Sequence, residues 1–472
     1  MRKLFGTDGI RGVAGEYPLD ERATYAIGQA VGKHLLKSHN GVRVVIGEDT
    51  RESSGWIANQ VARGLASGGV EVESAGIITT PGVAFLARTR DFGAGIVISA
   101  SHNPWQDNGI KVFGHDGYKL PDAVELEIEK EIFAHLKEDA PGGSSQSRML
   151  KEDPGLRDSY VDWLAQNAAS ADLSRMKVLV DCANGAATPI AHEVFRRCGV
   201  DATFINDEPD GRNINANCGA LHPQVVGMAV RRGNGESQLA RYALGISFDG
   251  DADRALFSDE SGNVMNGDAV LLLCARAMKD RGALTNNVVV ATTMSNMGLE
   301  VALRNSGIDM LRAPVGDKYV LEEMQRSGSV LGGEQSGHII FRDGDATTGD
   351  GLLTALRVMT KMARAGKTFS HLVSDLKVFP QTIKNVRVRE KLPLEQVPEV
   401  AAAIKTAQAE LDGNGRVVVR YSGTEKLARV MVEADSEDKM CRLADHIADA
   451  LQRNLGARPE AECEKQSASP SQ

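Results

Sequence analysis

Three aspartates at alternate positions follow an apolar segment in the middle of the chain. Leu244–Phe248 predicts a buried strand, and Asp249-Gly-Asp-Ala-Asp-Arg254 follows it. Carboxylates this close repel one another unless a cation neutralises them, and a hard ion such as Mg²⁺ suits oxygen ligands of this kind. The loop resembles the start of an EF-hand, but Arg254 stands where that loop needs glycine, and a strand precedes it. A solvated acidic turn is the alternative to the favoured interpretation, a metal site.

A loop with two serines follows a second apolar segment. Gly95-Ile-Val-Ile98 predicts a strand buried on both faces, and Ser99-Ala-Ser-His-Asn-Pro104 comes next. The closing proline keeps the preceding backbone extended and the loop open. We expect Ser99 to end the strand and Ser101 to be exposed beyond it. The hydroxyl of such a serine either satisfies a turn or acts as a nucleophile or phosphate carrier, for which Lys111 is a nearby cation.

A glycine-rich loop near residue 335 carries polar side chains that suit a sugar. Gly332-Gly-Glu-Gln-Ser-Gly-His338 puts glycines around Glu334 and Ser336. Glycine lets a backbone approach a ligand closely, and these side chains offer the acceptors and donors that sugar hydroxyls need. A lone histidine is usually structural, but the polar neighbours of His338 favour a binding role.

Arginines accompany two other glycine-containing loops. Arg420-Tyr-Ser-Gly-Thr-Glu425, with Arg429 beyond it, combines guanidinium groups, hydroxyls and loop N–H donors. Arginine binds phosphate through two parallel hydrogen bonds, so the segment predicts a phosphate cradle, with a β-turn and an exposed arginine as the alternative. Gly6-Thr-Asp-Gly-Ile-Arg-Gly12 is a weaker example of the same kind, with Arg11 as its cation.

The elements that must position these loops alternate between strand and helix. Val42–Ile46 and Ile96–Ile98 predict strands, with a helix near 53–67 between them and an acidic helix near 122–137 after them. This order is typical of α/β sheets built from strand, crossover helix and parallel strand. Ligands of such sheets collect beyond the carboxyl ends of the strands, where the polar loops lie in sequence.

Polar breaks divide the chain into four predicted domains. The segment 141–147 places a boundary near residue 150, and the other boundaries follow from the same alternation of strands and helices. The first three domains share a sequence of strand, polar loop and helix, whereas the fourth has an α+β pattern. The polar tail predicts disorder. The predicted ranges are 1–150, 151–256, 257–370 and 371–456, with a tail at 457–472.

Composition excludes several classes of protein. The chain has 472 residues, 42% of them hydrophobic, which predicts a multidomain globular protein. Its net charge of −9 argues against a general nucleic-acid surface. The six scattered cysteines predict reduced thiols and a cytoplasmic protein. We find neither a signal-peptide segment nor an apolar segment long enough to span a membrane, so we expect no membrane association.

Taken together, the five loops resemble those of the alpha-D-phosphohexomutase superfamily. The quoted motifs GTDGIRG, SASHNP, DGDADR, GEQSGH and RYSGTE occur in that family's order, and the resemblance spans residues 1 to about 455. It implies four domains around a central cleft, each supplying one loop. Three would be similar mixed α/β domains, and the C-terminal one an α+β domain similar to the TATA-box-binding protein.

The resemblance also implies a role for each motif residue. Ser101 would carry a phosphoryl group and, with the three aspartates, contact one Mg²⁺. Glu334 and Ser336 would hold sugar hydroxyls. The other residues would bind the non-reacting phosphate or act near the reacting groups as electrostatic or acid–base participants. The metal set is Ser101, Asp249, Asp251 and Asp253; the further catalytic candidates are Arg11, His102, Lys111, Arg254 and His338; the further substrate-binding candidates are Lys318, Arg420, Ser422, Gly423, Thr424 and Arg429.

Within the superfamily, LFGTDGIRG and the glutamine of GEQSGH favour the branch that acts on glucosamine phosphates, since mannose and glucose phosphate mutases usually carry methionine there. The implied reaction interconverts glucosamine 6-phosphate and glucosamine 1-phosphate through a sugar 1,6-bisphosphate, which also serves as primer, and supplies UDP-N-acetylglucosamine synthesis. The alternatives are a mannose or glucose phosphate mutase, an aspartyl-phosphate-type phosphatase and a non-catalytic phosphosugar sensor.

The expected partners follow from the same resemblance. They are a phosphosugar substrate, a second copy of the chain joined through the first domain, and an activating kinase unless Ser101 phosphorylates itself. Nucleic acid and membranes are not expected partners.

Two positions depart from the family pattern. Lys426 stands where the family commonly has proline, in SGTEP. The family's VGDR loop reads Val315-Gly-Asp-Lys318 here and follows Pro314. Lys318 keeps the positive charge but loses the planar fork of arginine. The departures affect sugar and phosphate binding and leave Ser101 and the aspartates unchanged.

Overall fold

The computed structural model describes residues 3–6, 8–37, 42–137, 150–236, 241–422 and 426–456. Contacts within the chain divide it into two compact units. The first contains the described parts of Met1–Ser295 and Leu303–Asp375, and the second contains 296–302 and 376–456. The predicted tail at 457–472 and the predicted break at 141–147 lie outside the described residues.

The first sheet of the larger unit has six strands and mixed pairing. Strand β5 is wholly buried and lies between a parallel neighbour, β3, and an antiparallel one, β6. The strand order is β1-β2-β6-β5-β3-β4. The strands are β1 (Phe5–Gly6), β2 (Gly9–Val13), β3 (Arg43–Glu48), β4 (Glu71–Ile77), β5 (Ala94–Ile98) and β6 (Asp107–Gly114). The helices are α1 (Glu21–Leu36), α2 (Ser54–Ser67), α3 (Thr80–Thr89) and α4 (Asp122–His135).

Local sequence explains where these helices begin. Asp20 accepts a hydrogen bond from Ala23 N and caps α1. Thr79 accepts from Gly82 N, and a proline in the first turn of α3 supplies the helical φ angle. Alanines, valines and isoleucines of α1 and α2 pack on the sheet in one apolar core. Helices α1 and α2 therefore pack against the sheet that positions the carboxyl ends of β3 and β5.

The second sheet repeats this arrangement with five strands in the order β11-β10-β9-β7-β8. Strand β9 is buried throughout and ends at the aspartate loop. The strands are β7 (Lys177–Asp181), β8 (Asp201–Ile205), β9 (Leu244–Phe248), β10 (Ala255–Ser258) and β11 (Val264–Met265), and the helices are α5 (Pro154–Ala168), α6 (Ala187–Arg197) and α7 (Gln224–Glu236). The boundary expected after residue 256 falls inside β10, because β10 and β11 continue this sheet to Met265.

The third sheet has four strands in the order β13-β12-β14-β15. Strand β12 pairs in parallel with both neighbours, and β15 adds an antiparallel edge. The strands are β12 (Val288–Thr292), β13 (Asp309–Ala313), β14 (Leu331–Gly333) and β15 (Ile339–Phe341). The helices are α8 (Gly267–Asp280), α9 (Met297–Asn305), α10 (Asp317–Ser327), α11 (Gly351–Ala365) and α12 (Phe369–Leu372).

The smaller unit carries a three-stranded antiparallel sheet with two helices. Strand β18 is central, and one face of the sheet packs with both helices in a separate apolar core. The elements are β16 (Gln381–Arg387), α13 (Pro398–Leu411), β17 (Gly415–Tyr421), β18 (Leu427–Ala434) and α14 (Glu437–Leu455). The predicted α+β pattern of the last domain is confirmed by these elements.

Two observations concern the chemical environment of the chain. Among the described residues no cysteine forms a disulfide, and Cys182, Cys218 and Cys274 are buried. Burial raises the pKa of Cys218 and of Cys274 to about 12, so these thiols are poor nucleophiles. No helix in the described parts is both long and apolar enough to cross a bilayer.

Candidate active site

The serine loop after β5 meets the aspartate loop after β9. Ser101 Oγ donates a hydrogen bond to Asp249 Oδ2 at 2.7 Å and lies 3.2 Å from His102 Nδ1. The expectation that Ser101 is exposed is wrong, because it is 1% exposed and Ser99 is 0% exposed. The two serines differ in what their hydroxyls face: Ser99 Oγ donates to Asp49 beneath the loop, whereas Ser101 Oγ faces the aspartates.

Both loops adopt unusual backbone geometry where they touch. Ser101 has a φ angle of 53°, in the left-handed region that residues with a β-carbon seldom adopt. Gly250 lies against it, and a Cβ at position 250 would come within 2.5 Å of the Ser101 carbonyl oxygen. The glycine of the aspartate loop is therefore required for the close approach of the two loops.

The three aspartates form the metal-type cluster that their spacing predicts. Carboxylate oxygens of Asp249, Asp251 and Asp253 lie within 4.8 Å of one another, and all three side chains are buried. Asp251 Oδ1 and Asp253 Oδ1 are buried without a hydrogen bond from any described residue. Buried carboxylate oxygens with open lone pairs fit a hard cation, so these residues suit Mg²⁺.

Lys111 is the buried cation of the site. Its Nζ donates to Asp251 Oδ2 at 2.9 Å and lies 3.0 Å from Asp8 Oδ2. Burial by itself lowers the pKa of this lysine, but the charges of Asp251, Asp8 and Asp253 outweigh burial and hold the pKa well above its usual value. Lys111 is therefore a fixed positive charge in the site.

Two arginines flank the loops. Arg11 donates to Asp8 and, at 3.4 Å, to Asn103 Oδ1 of the serine loop. Arg254 Nε lies 3.7 Å from Asp253 Oδ1. Burial opposes the charged form of Arg254, yet the neighbouring carboxylates, Asp253 first, raise its pKa. Arg11 and Arg254 together place guanidinium groups beside the serine loop and the aspartate cluster.

The two candidate histidines have opposite electrostatic environments. Burial and the charges of Arg254 and Arg11 lower the pKa of His102. His338 is also buried, but the carboxylate of Asp253, with Nδ1 to Oδ1 at 3.6 Å, outweighs burial and raises its pKa. His338 Nε2 accepts a hydrogen bond from Gly349 N at 3.1 Å, so the backbone fixes its ring.

The predicted sugar loop holds its side chains in place through local hydrogen bonds. Glu334 Oε1 accepts from Gly316 N at 2.9 Å, and Oε2 accepts from Ser336 Oγ at 3.1 Å. Lys318 lies in the first turn of α10, and its Nζ pairs with Asp122 of α4. Glu334 thus joins the GEQSGH loop to the loop before α10. The Lys318 ammonium instead pairs with α4, which belongs to the first sheet.

The predicted phosphate loop belongs to the smaller unit. Arg420 and Arg429 are direct cross-strand partners on β17 and β18, so their side chains leave the same face of the sheet. Two guanidinium groups on one face of the sheet offer several N–H donors to a phosphate. Ser422 N donates to Leu427 O at 2.8 Å and closes the strand pair. Gly423 and Thr424 lie outside the described residues.

Sequence reasoning missed several charged residues near the site. Lys119 bridges Asp8 and Asp317, with Nζ 2.6 Å from Asp317 Oδ2. Arg51 binds carbonyl oxygens of the serine loop. Asp8 lies in the glycine-rich segment Gly6–Gly12, and Arg51 follows β3 at the same sheet edge as the serine loop. The rule that polar residues after strands carry function would have identified Arg51, whereas only the tertiary fold identifies Lys119.

A buried serine hydroxyl set against a carboxylate cluster and fixed cations, at the ends of α/β sheet strands, suits phosphoryl transfer, in which positive charge stabilises the transferring group. Comparison with known proteins gives the family. Four models of phosphoglucomutase/phosphomannomutase domains match in chain order: alpha/beta/alpha domain I at 2–139, domain II at 158–262, domain III at 266–379 and the C-terminal domain at 383–450. The chain belongs to the phosphoglucomutase/phosphomannomutase family and is a mutase, an enzyme of the isomerase class.

Relatives that match almost the whole chain carry a more specific name than the family. The chain is 60% identical to the phosphoglucosamine mutase of Koribacter versatilis over 97% of this chain and 98% of that protein. It is 52% identical to the phosphoglucosamine mutase of Solibacter usitatus, over 96% and 99% of the two chains.

Solved structures share the four-domain fold. A phosphoglucomutase/phosphomannomutase family protein from Burkholderia thailandensis matches with a TM-score of 0.74 and 24% identity, over 95% of this chain and 97% of that one. The N-acetylphosphoglucosamine mutase of Aspergillus fumigatus, solved with GlcNAc-6P and magnesium, matches with a TM-score of 0.58 and 18% identity, over 96% of each chain. The predicted fold class is confirmed.

Proposed function

We propose that this protein is a phosphoglucosamine mutase that interconverts glucosamine 6-phosphate and glucosamine 1-phosphate. The observation that carries the chemistry is the contact between Ser101 Oγ and Asp249 Oδ2, 2.7 Å apart, inside a buried cluster of three aspartates. The names of the full-length relatives at 52% and 60% identity support the glucosamine substrate. These two lines of support are independent, because one rests on geometry and the other on similarity.

In this proposal Ser101 carries the phosphoryl group, and Mg²⁺ is held by Ser101 and the three aspartates, Asp249, Asp251 and Asp253. When bound, the ion would neutralise charge on the transferring phosphoryl group. Lys111 and Arg254 hold fixed positive charge beside the cluster, and Arg11 orients the serine loop through Asn103. His102 would exchange protons beside Ser101, 3.2 Å from its Oγ, and His338 beside Asp253, 3.6 Å from its Oδ1.

The proposed reaction consists of two phosphoryl transfers. The phosphorus–Oγ bond of phosphorylated Ser101 breaks as a bond forms from phosphorus to O1 of glucosamine 6-phosphate, and the O1 proton passes to a base of the site. The resulting 1,6-bisphosphate turns over and presents its 6-phosphoryl group to Ser101 Oγ. The second transfer restores the phosphoserine, O6 takes up a proton, and glucosamine 1-phosphate leaves. No other reactant is consumed.

Substrate binding is assigned to the remaining loops. Glu334 and Ser336 would accept and donate hydrogen bonds to sugar hydroxyls, because their side chains are already oriented by Gly316 N and by each other. Lys318 would contact the substrate if it left Asp122. The cross-strand pair Arg420 and Arg429, with Ser422, Gly423 and Thr424, would hold the phosphate that does not react.

The deciding experiment follows phosphorus NMR of purified protein with Mg²⁺, a catalytic amount of glucose 1,6-bisphosphate and glucosamine 6-phosphate. We expect a glucosamine 1-phosphate signal to grow to equilibrium. Ser101→Ala should abolish it, whereas Ser67→Ala should not, because the Ser67 hydroxyl only donates to Gly64 O at the end of α2. Intact-mass spectra should show one phosphate on the wild type and none on Ser101→Ala.

Other outcomes would identify other functions. Faster turnover of mannose or glucose phosphates than of glucosamine 6-phosphate would replace the substrate but keep the chemistry. Release of inorganic phosphate by an active Ser101→Ala variant would instead indicate an aspartyl-phosphate-type phosphatase. Ligand binding without any phosphate on Ser101 would indicate a sensor.

Two further parts of the proposal concern assembly and activation. The first domain, 1–150, would join two copies of the chain, and the domains at 151–256, 257–370 and 371–456 would complete each site. Ser101 would receive its first phosphate from a kinase or by autophosphorylation. Sedimentation velocity tests the dimer, and incubation of phosphate-free protein with the bisphosphate or with ATP distinguishes the two sources.

A further inference from the structure

Arg51 is a buried arginine whose guanidinium binds backbone rather than substrate. It lies just after β3, next to the serine loop in the first sheet, and its side chain is 0% exposed. A fully buried guanidinium needs acceptors for its five N–H groups, since an unsatisfied buried charge is costly. In this protein most of those acceptors belong to one segment, residues 101–107.

The contacts of Arg51 hold that segment at several points. Nη2 donates to Ser101 O and to Asn103 O, both at 2.9 Å. Nη1 donates to Asp107 O at 3.1 Å and also to Pro104 O. The planar guanidinium therefore holds four carbonyl oxygens, those of Ser101, Asn103, Pro104 and Asp107.

Asp49 fixes the guanidinium in turn. Its Oδ2 accepts from Arg51 Nε at 2.8 Å and from Ser99 Oγ at 2.6 Å, and its Oδ1 accepts from Ser54 Oγ at 2.7 Å. Ser99 Oγ also accepts from Ser101 N at 2.9 Å. The N–H of Ser101 and its carbonyl are thus both attached to the same buried pair, Asp49 and Arg51.

Asn215, in the segment after β8 of the second sheet, also holds the serine loop. Asn215 Nδ2 donates to Ser101 O at 2.9 Å and to Asn103 O at 3.2 Å, the same two carbonyl oxygens that Arg51 Nη2 binds. Asn215 N is itself bound to Ala183 O, beyond β7. The serine loop is held from beneath by the first sheet and from the side by the second.

These contacts explain how Ser101 keeps its left-handed backbone. A φ angle of 53° is costly for serine and persists only where surrounding structure imposes it. Hydrogen bonds on both sides of the Ser101 peptide units supply that constraint. The resulting backbone directs Oγ at Asp249 and away from the strand.

We propose that Arg51 is a positioning residue of the phosphoryl-transfer reaction, and that it acts with Asn215 by holding the backbone of Ser101. The expected effect on kcat rests on the proposed function, whereas the expected effect on the backbone of Ser101 does not. The hydrogen bonds of the Arg51 side chain go to Asp49 and to carbonyl oxygens of residues 101–107, and none joins it to the aspartate cluster. Its effect passes through the Ser101 carbonyl and amide.

The test is Arg51→Lys, which keeps the charge but cannot bind four carbonyls at once. We expect kcat to fall about 10²-fold, as misplacement of a reacting group by roughly 1 Å does, while KM for glucosamine 6-phosphate stays unchanged. Hydrogen exchange of the amides in residues 99–107 should become faster, with the other strands of the first sheet unaffected. This exchange readout does not need turnover.

The matched control is Arg342→Lys. Its Nη1 also donates to two carbonyl oxygens, of Met324 at 3.2 Å and Ser329 at 3.4 Å, away from the serine loop. Its kcat and its exchange in residues 99–107 should match the wild type. A folded Arg51→Lys protein with wild-type kcat and wild-type exchange would overturn the proposal.

Asn215→Ala alone tests the proposal if Arg51→Lys does not fold: we expect kcat to fall about tenfold and exchange in residues 99–107 to become faster, and wild-type values of both would overturn the proposal. If Arg51→Lys folds, the double variant should lose less than the product of the two single losses, because both side chains hold the same carbonyl oxygens. Losses that simply multiply would overturn joint action. An inactive wild type would refute the proposed function, whereas the exchange data would still decide the role of Arg51.

Discussion

The three aspartates of the cluster have unequal partners. Asp251 accepts from Lys111 at 2.9 Å, and Asp253 faces the same lysine at 3.9 Å and His338 at 3.6 Å. Asp249 has the Ser101 hydroxyl and the amide of Arg254 instead. Burial, together with the Asp253 and Asp251 charges, raises the pKa of Asp249 well above its usual value. Asp249 thus accepts two hydrogen bonds from neutral groups but, among the described residues, forms no ion pair.

A metal-binding prediction follows for Asp249→Asn. Wild-type protein should gain thermal stability on addition of Mg²⁺, because an ion that binds only the native state stabilises it by mass action. Asp249→Asn should lose most of this gain, and its Tm without metal should equal or exceed that of the wild type, since one of three repelling buried charges is gone. Differential scanning calorimetry with EDTA and with Mg²⁺ measures both effects.

The control for that prediction is Asp172→Asn on the protein surface, which should keep the whole gain. A full Mg²⁺-dependent gain in Asp249→Asn would place the ion elsewhere. Neither readout depends on catalytic activity.

A second residue-scale prediction concerns Glu48 at the end of β3. Burial, with the charges of Asp49 and Glu152, raises the pKa of Glu48 from 4.5 to about 7. The native state therefore binds a proton that the unfolded state releases, so the stabilising contribution is complete below pH 4.5 and is lost as pH rises through 7. Glu48→Gln should be more stable than wild type by about 1–2 kcal/mol at pH 8, and the difference should vanish in acid.

Urea unfolding at a series of pH values measures this difference directly. Glu71→Gln, an exposed position on the neighbouring strand β4, is the control and should follow the wild type throughout. A constant stability difference between Glu48→Gln and wild type at every pH would contradict the prediction.

At the scale of elements, the sequence predicts the buried strands and therefore the residues that follow them. Strands β5 and β9 are short and buried throughout, so their positions and the loops after them follow from their apolar composition and from the polar residues that end them. The same reasoning identified Ser101 and the three aspartates. It could not show that Ser101 would be buried, because that depends on a second loop, with Gly250, that comes from a different sheet.

The paired strands of the smaller unit carry the next prediction. Arg420 and Arg429 face each other across β17 and β18, so we expect Arg420→Ala to raise KM for glucosamine 6-phosphate about 10- to 100-fold, the value of a charge-assisted hydrogen bond to phosphate. Stability without ligand should stay within about 0.5 kcal/mol of wild type, because Arg420 is exposed. Initial-rate kinetics and thermal unfolding measure the two effects.

Arg453→Ala, an exposed position in the last turn of α14, is the matched control and should leave KM unchanged. If Arg420→Ala lowered kcat alone and left KM as in wild type, the phosphate role of this strand pair would be refuted.

At the scale of the whole molecule, an acidic chain encloses a set of buried cations. The net charge is −9, yet Lys111, Lys119 and Arg254 are all largely buried and paired with carboxylates. The net charge argues against a general nucleic-acid surface, but composition could not place these pairs. Lys119 follows the first sheet and Asp317 begins α10, so 198 residues separate the partners. Only the packing of the first sheet against the third brings them together.

Removing the Lys119 bridge should therefore weaken the larger unit. Lys119→Met leaves Asp8 and Asp317, both with lowered pKa values, facing each other without their shared cation. We expect a loss of about 1.5–3 kcal/mol in the free energy of unfolding, the value of a charge-assisted hydrogen bond, because these side chains are about one-fifth exposed and Asp8 keeps Lys111 and Arg11. Adding Asp317→Asn should recover part of the loss, because one unpaired charge is then removed.

Urea unfolding of the single and double variants measures both steps. Lys33→Met is the control, since it removes a lysine paired with Glu131 at an exposed position and should cost at most about 1 kcal/mol. A double variant less stable than Lys119→Met alone would mean that Asp317 is held by groups other than this lysine.

The left-handed backbone at position 101 restricts which amino acid can occupy it. Threonine offers the same hydroxyl as serine and could carry a phosphate equally well, but a branched β-carbon is a severe outlier at a φ angle of 53°. A Ser101→Thr protein would have to give up either this backbone or the direction of its hydroxyl. The choice of serine over threonine at this site is therefore set by the main chain and not by the chemistry of the hydroxyl.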